Sequence, residues 1–412
     1  MPFSRKGSAI TNVVRCLVLA HPEKSSVVTS HNRDVEVIGA NNIRVNFTGS
    51  SPREYFDGFE MTVDHFFGLL NRDRPFTGQL PLVAVQALRD VRPDAVLIHE
   101  GHYASSALPL FRRWLPGTAL YLYVHTRLSR SYSPWELRRL FSSLNGVVCV
   151  SEYIEKMVRS RLGNWKRELP VKTVLNGVNI VEFCPPEVPP PAHELLFVGQ
   201  MCEHKGADLV VRAVAALKHP VKLRMIGSSV HGATSEVTPY ERELRRLAAE
   251  AGGSVEISFE PFQPNSMLPA IYRSAGIVLA PSRFNDPCPL VCLEALASGC
   301  ALIGSNRGGI PEICGNAGIT VPPKRKDITD ALNSLLTDRN AYLSLRTKAR
   351  ERAVKLSWNN QYRELRSFIE ATISQSMRKD DAPRGRGRSF FAENFAKEGS
   401  FESEFSDSTQ KN

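Results

Sequence analysis

Four stretches of this chain carry residue types at spacings that could do chemistry. In SRFNDPCPLVCLEALASG, residues 282–299, Asp286 and Glu294 stand eight positions apart. Pro287 and Pro289 disfavour helix before residue 289, while proline is tolerated at a first helical position. The spacing therefore predicts a helix from Pro289 to Ser298, with Gly299 as its stop. Asp286 then lies in the loop before the helix and Glu294 on its second turn. The N–H groups of Leu290 and Val291 point back toward that loop. A carboxylate beside a row of donors suits a polyhydroxylated ligand carrying phosphate. An acid/base pair fits less well, because one group is in a loop and the other within a helix. Simple helix-dipole stabilisation for Asp286 and a paired, half-buried carboxylate for Glu294 are the competing readings. In FVGQMCEHKG, a strand over 194–198 ends at Gly199 and Gln200, and a helix begins near Lys205. A lysine beside the open N–H groups of a helix start makes an anion site, although a solvated lysine at a helix end reads the same. In YLYVHTR, His125 follows a buried strand and should sit at the carboxyl end of a sheet, as a structural or a catalytic imidazole. In SNRGGIPEI, Gly308 and Gly309 permit positive φ or close backbone approach.

The elements that must position these residues alternate along the chain. VVRCLVLA, DAVLIH, ALYLYVH, GVVCVS and VKTVL read as strands in the first half. FEMTVDHFFGLL, LPLVAVQALRDV, SPWELRRLFSSL and SEYIEKMVRSRL read as helices between them, the last with Ser151 as N-cap. Five prolines between Pro185 and Pro191 mark a spacer. The alternation then restarts, with ELLFVG, VKLRMIG, VEISF, GIVLA and ALIGS as strands. KGADLVVRAVAAL, YERELRRLAAEAG, SMLPAIYRSA, LVCLEALASG and DITDALNSLL are the intervening helices. Strand–helix alternation with short links implies a parallel sheet covered on both faces, here twice. SWNNQYRELRSFIEATISQSM is a final amphipathic helix. A Ser-rich, low-hydropathy tail with RGRGR is expected to be disordered. The expected division is 1–187, 188–357, a helix over 358–377 and a tail over 378–412. Two such α/β units leave a cleft between their strand ends, where ligands of these sheets bind.

Bulk properties narrow the function. The chain has 412 residues, 42% of them hydrophobic and 23% charged, which is an ordinary globular composition. The formal net charge of +10 is spread along the chain rather than blocked. It suits a phosphorylated substrate or an anionic membrane surface. No nucleic-acid-binding motif accompanies the charge, so nucleic acid is not an expected partner. No apolar run reaches the ~20 residues that span a bilayer, and no signal-peptide pattern opens the chain. Among eight cysteines there is no C-x-x-C pair and no histidine beside Cys288 and Cys292. They read as buried reduced thiols of a cytoplasmic protein, and no metal site is expected.

Together these stretches resemble the retaining glycosyltransferases of family 4, which have the GT-B fold of two Rossmann-like domains facing across a cleft. LNGVNIVEFCP is similar to N-G-V-D-x-x-x-F-x-P. FVGQMCEHKGADLVVRA is similar to V-G-R-L-x-x-x-K-G-x-D-x-x-x-x-A. APSRFNDPCPLVCLEALASGCALIGSNRGGIPEI is similar to the family's long E-x7-E and G-G-x-P-E segment, and KLSWNNQYREL to its closing helix, which crosses back to the first domain. Four motifs in order with matching spacing make the resemblance specific, strongest over 172–323. It implies an acceptor-binding first domain, a nucleotide-sugar-binding second domain, and transfer of a sugar from a UDP- or GDP-sugar with retention of configuration and without a metal or other cofactor. Carried over by position, Gly199, Gln200 and Lys205 would line the donor diphosphate, Glu294 the ribose, Leu290 and Val291 N–H groups the sugar and phosphate. Asp286 and His125 would flank the reacting carbon.

Three positions depart from the family pattern: Asp286 stands for glutamate, Pro289 for a glycine, and Gln200 for an arginine. Arg283, Arg307 or another cleft cation could replace the lost charge. On the acceptor side, RLSRSYSPWELRRLF mixes Arg127, Arg130, Arg138 and Arg139 with Tyr132, Trp135 and Phe141. This pattern suits either an ordinary solvated face or peripheral docking on an anionic membrane, with a glycan or lipid-linked acceptor in cell-surface polysaccharide or lipopolysaccharide synthesis. A catalytically silent nucleotide-sugar-binding protein and a nucleotide-sugar epimerase are the rival readings.

Overall fold

Aliphatic and β-branched runs form twelve strands among the described residues of the computed structural model, which describes residues 9–20, 26–30, 41–45, 58–75, 88–89, 92–99, 105–128, 132–165, 168–228 and 237–380. In the first half they are β1 (Ser26–Ser30), β2 (Asn41–Val45), β3 (Ala95–His99), β4 (Ala119–Val124), β5 (Gly146–Cys149) and β6 (Val171–Thr173). In the second they are β7 (Glu194–Val198), β8 (Val221–Ile226), β9 (Val255–Glu260), β10 (Ile277–Ala280), β11 (Ala301–Ser305) and β12 (Ile319–Val321). The first half holds a parallel sheet ordered β3-β4-β5-β6 and a separate parallel pair β1-β2. The second holds a six-stranded parallel sheet ordered β12-β11-β10-β7-β8-β9. All six residues of β4 are buried. Helices cover parallel sheets on both faces, which is why that strand is apolar throughout rather than alternating. Its two tyrosines satisfy their hydroxyls inside the protein: Tyr123 donates to the Val174 carbonyl at 2.8 Å, and Tyr121 lies 2.6 Å from the Thr372 hydroxyl.

The order of the six-stranded sheet reverses between β7 and β10, the kind of switch point beside which a crevice opens at the strands' carboxyl ends. Lys205 follows β7 and Asp286 follows β10, so the topology itself brings them to that crevice. The first sheet presents its carboxyl ends to the same place. Asn176, just after β6, donates from Nδ2 to the Cys288 carbonyl at 3.0 Å. Glu312, after β11, accepts from the backbone N–H groups of Glu152 (2.6 Å) and Tyr153 (2.8 Å) at the start of the helix Glu152–Leu162. One apolar core runs from Leu120 and Val148 across to Leu293, Ile310 and Trp358. A second fills the six-stranded sheet around Phe197, Leu223, Ile303 and Leu332.

The chain crosses back at its end. Val178 pairs with Ser357, and the Val178 N–H donates to the Leu356 carbonyl at 3.0 Å. A Cβ on Gly177 would lie 2.7 Å from Trp358, so that glycine lets the crossing segments touch. The helix Trp358–Asp380 then packs Phe368 on Tyr121 and Gly146. It continues through Asp380, past the boundary at 377 expected from the sequence.

One element differs in kind. VVRCLVLA is not a buried strand but belongs to the helix Ala9–Ala20. Val13 and Leu17, four apart, are buried, while Arg15 and Leu19 face outward. That is the helical period, and it places the arginine in solvent where a central strand would have buried it. The strands β1, β2 and β12 and the helices Leu108–Trp114 and Arg339–Lys355 have no counterpart in the sequence reading. Most of the expected helix LPLVAVQALRDV, of which Leu88 and Arg89 are helical, lies outside the described residues, as do the RGRGR tail, Arg130 and most of HPEKSSVVTSHNRD.

Candidate active site

Three loops of the second domain knit together at the switch point. The first is the turn after β7. Gly199 has φ +151°, and the backbone passes through a 3-10 turn at Glu203–Lys205 before the helix Ala207–Val214. The α-helix thus begins two residues after Lys205, with Gly206 at φ +77° between them. A Cβ there would lie 2.3 Å from the Pro281 carbonyl oxygen, so only glycine lets the two loops approach this closely. The second is the loop after β10. Its Arg283 and Phe284 N–H groups both donate to the His204 carbonyl, at 2.9 and 3.1 Å. The third is the turn after β11, where Gly309 N–H donates to the Asp286 carbonyl at 2.8 Å and Gly308 takes φ +58°.

The outcome is an ion pair across 81 positions: Lys205 Nζ donates to Asp286 Oδ2 at 2.5 Å. The lysine side chain is a third exposed and the aspartate nearly buried. The helix Leu290–Ala297 starts immediately beyond, with Pro289 as an N-cap whose side chain makes no hydrogen bond. The N–H groups of Leu290 and Val291 therefore open the helix beside the ion pair, where the backbone dipole favours an anion. Pro289 stands one place outside the helix that the sequence had it starting, and it supplies no N–H of its own.

Glu294 lies on the next turn. The Tyr272 hydroxyl donates to its Oε2 at 3.0 Å. Burial pushes the Glu294 carboxyl up to about 7, and the Tyr272 hydrogen bond opposes that rise by stabilising the carboxylate. Tyr272 is fully buried and packs edge-on against Phe183. Gln200 is half-buried at the end of β7. The Arg283 guanidinium is engaged by both oxygens of Asp208, at 2.6 and 2.7 Å, in a bidentate pair, and donates to the Glu203 carbonyl at 2.8 Å. Arg307 stands exposed on the turn after β11.

His125 follows β4 in the first domain and is 5% exposed. Its Nε2 lies 2.8 Å from His99 Nδ1, a residue that sequence reasoning passed over. The strand DAVLIH ends in that histidine, and its position at a carboxyl end was the available signal. Burial pushes both imidazoles down, His99 to about 4 and His125 well below its ordinary 6.5, the latter also through its neighbour His99.

The basic and aromatic segment 127–141 is mostly structural. Tyr132 and Phe141 are buried, and Tyr132 lies under the Arg74 guanidinium, which pairs with buried Glu136 at 2.8 Å. Arg138 donates to the Leu162 carbonyl, and Arg139 pairs with Asp73. Trp135 is the one aromatic of that segment left exposed, at 70%. No helix among the described residues is long and apolar enough to cross a membrane.

Comparison with known proteins matches this arrangement. The family model for group 1 glycosyl transferases matches residues 186–352, and that for glycosyltransferase family 4 matches residues 31–182. The chain is 30% identical over 223 residues to the D-inositol 3-phosphate glycosyltransferase of Corynebacterium kroppenstedtii, covering 49% of this chain and 48% of that protein. It spans about half the length of the curated relatives it matches. Among solved structures, Anabaena HepE in complex with UDP superposes with a TM-score of 0.67 at 13% identity, covering 88% of this chain and 96% of that one. The sucrose-phosphate synthase of Thermosynechococcus elongatus gives 0.66 at 17% identity, covering 90% and 94%. Two family models that adjoin near the proline spacer, over a pair of facing parallel sheets, place the chain in glycosyltransferase family 4, with the GT-B fold.

Proposed function

We propose that this chain moves a sugar from a nucleoside-diphosphate sugar to a glycan or lipid-linked acceptor, with retention of anomeric configuration. The observation that carries the reading is the Lys205–Asp286 pair set against the open start of the helix Leu290–Ala297, with Glu294 one turn on. In this reading Lys205 and the Leu290 and Val291 N–H groups hold the diphosphate and stabilise its charge as it departs. Glu294 accepts from the ribose hydroxyls, Asp286 from the sugar, and His125 flanks the reacting carbon from the first domain. Gly199 and Gln200 line the diphosphate side. The charge on the phosphates is met by protein groups, so the reading expects no metal requirement. The first domain, 1–187, would hold the acceptor, and 188–357 the donor. Trp135, with Phe66, Leu69 and Leu70 also exposed on the first domain, would mark its peripheral contact with an anionic membrane.

A second reading is nucleotide-sugar binding without turnover. It is favoured by the aspartate that already neutralises Lys205 and by Pro289, which offers no N–H. Incubation with UDP-, GDP- and ADP-sugars separates the two. Slow nucleoside-diphosphate release, accelerated by an acceptor and giving a product of unchanged anomeric configuration by NMR, supports transfer. Binding without release supports the second reading, and an epimerised donor overturns both. Absence of binding to every nucleotide sugar rejects the site altogether.

A further inference from the structure

The pairing of His99 with His125 follows from the sheet. β3 and β4 run parallel with His99 in register with Tyr123. Side chains two apart on a strand share a face, so Tyr123 and His125 stand on the side where His99 emerges. The three rings pack on one another: His99 and Tyr123 have centroids 5.3 Å apart, Tyr123 and His125 4.5 Å, and His99 and His125 5.1 Å. The Tyr123 hydroxyl is committed to the Val174 carbonyl. The polar contact between the rings is therefore the 2.8 Å approach of His99 Nδ1 to His125 Nε2.

A neutral imidazole has one N–H donor and one acceptor nitrogen. At 2.8 Å a single proton lies between Nδ1 and Nε2, because two N–H groups facing each other would clash and two bare nitrogens would repel. Either assignment engages Nε2 of His125 and leaves Nδ1 as its remaining ring nitrogen. We propose that His99 is a positioning residue: it fixes the ring plane of His125 and holds it in one of its two neutral tautomers by engaging Nε2, so that Nδ1 is the ring atom turned to a substrate hydroxyl. This rests on the placement of His125 at the reacting carbon in the proposed function.

The test joins a spectroscopic readout to a kinetic one. Long-range ¹H–¹⁵N spectra of the full chain report the tautomer of His125, assigned by its loss in His125→Gln. The wild type should show one fixed tautomer. In His99→Leu the two His125 nitrogens should move toward averaged shifts, and kcat should fall about tenfold or more with donor KM little changed. His99→Asn, whose carboxamide can set either its NH2 donor or its oxygen acceptor against Nε2, should restore both. The proposal is overturned if folded His99→Leu, checked by thermal unfolding, keeps the single tautomer. It is equally overturned if the tautomer is lost while kcat stays, or if His99→Asn behaves like the leucine variant. A chain that turns over no nucleotide sugar rejects the proposed function, while the nitrogen shifts still decide whether His99 locks His125.

Discussion

Replacing Tyr272 with phenylalanine removes one hydroxyl and leaves a ring that the core already encloses. That hydroxyl donates to Glu294 Oε2 at 3.0 Å and works against the burial that lifts the carboxyl to about 7. A hydrogen bond to a charged group is worth about 1.5–3 kcal/mol, and one pKa unit corresponds to roughly 1.4 kcal/mol. Tyr272→Phe should therefore raise the Glu294 pKa by about one unit or more. Near pH 7 the ionised fraction then falls from about a half to about a tenth. If ribose hydroxyls donate to the ionised carboxylate, donor affinity in the variant drops about fivefold at pH 7. By pH 9 the carboxyl is ionised in both proteins, and the difference should nearly vanish. Isothermal calorimetry with a nucleotide sugar across pH 6–9 reads this directly. A defect of constant size at every pH would refute the reasoning, as would a wild-type affinity that does not rise through pH 7.

The same carboxyl has a consequence for stability. Its folded pKa lies above the ordinary 4.5, so the folded state favours the protonated form and loses that advantage as pH rises through about 7. Glu294→Gln, which cannot ionise, should raise the melting temperature at pH 8 and change it little at pH 4.5, while weakening donor binding. Gly308→Ala places a Cβ 2.1 Å from the Asp286 carbonyl oxygen at φ +58°, so it should cost about 1–3 kcal/mol in denaturant unfolding and displace the Asp286 loop, weakening the donor with it. Glu312→Ala removes the carboxylate that caps the helix Glu152–Leu162 from the other domain, and should lower stability by about 1–2 kcal/mol, read as a shift in the denaturant midpoint.

Much of the second domain could be read from the chain because its strands are short, apolar and bounded by glycine and proline. The helix Arg339–Lys355 escaped notice because its buried face consists of Tyr342, Arg346, Ala349 and Ala353. A buried arginine that bonds the Ala275 and Gly276 carbonyls breaks the apolar stripe on which pattern reading depends. VVRCLVLA was misjudged for the opposite reason: a short apolar stretch rich in valine, broken only by Arg15, fits a strand and a helix face alike. Tyr132 and Phe141 looked like surface aromatics among arginines, yet Arg74, 58 positions before Tyr132, covers one and the core takes the other. The site's residue types were legible, but their partners were not. Lys205 and Asp286 stand 81 positions apart, and Tyr272 precedes Glu294 by 22. Such pairs are created by strand order, which residue spacing does not encode.

The central claim is that a donor diphosphate binds where Lys205 meets the start of the helix Leu290–Ala297. Calorimetric titration of nucleotide sugars into the wild type and Lys205→Ala tests it most directly. The account predicts measurable binding of at least one nucleoside-diphosphate sugar to the wild type, weakened about tenfold or more when the charged contact is removed. Equal affinity in a folded Lys205→Ala variant would contradict it.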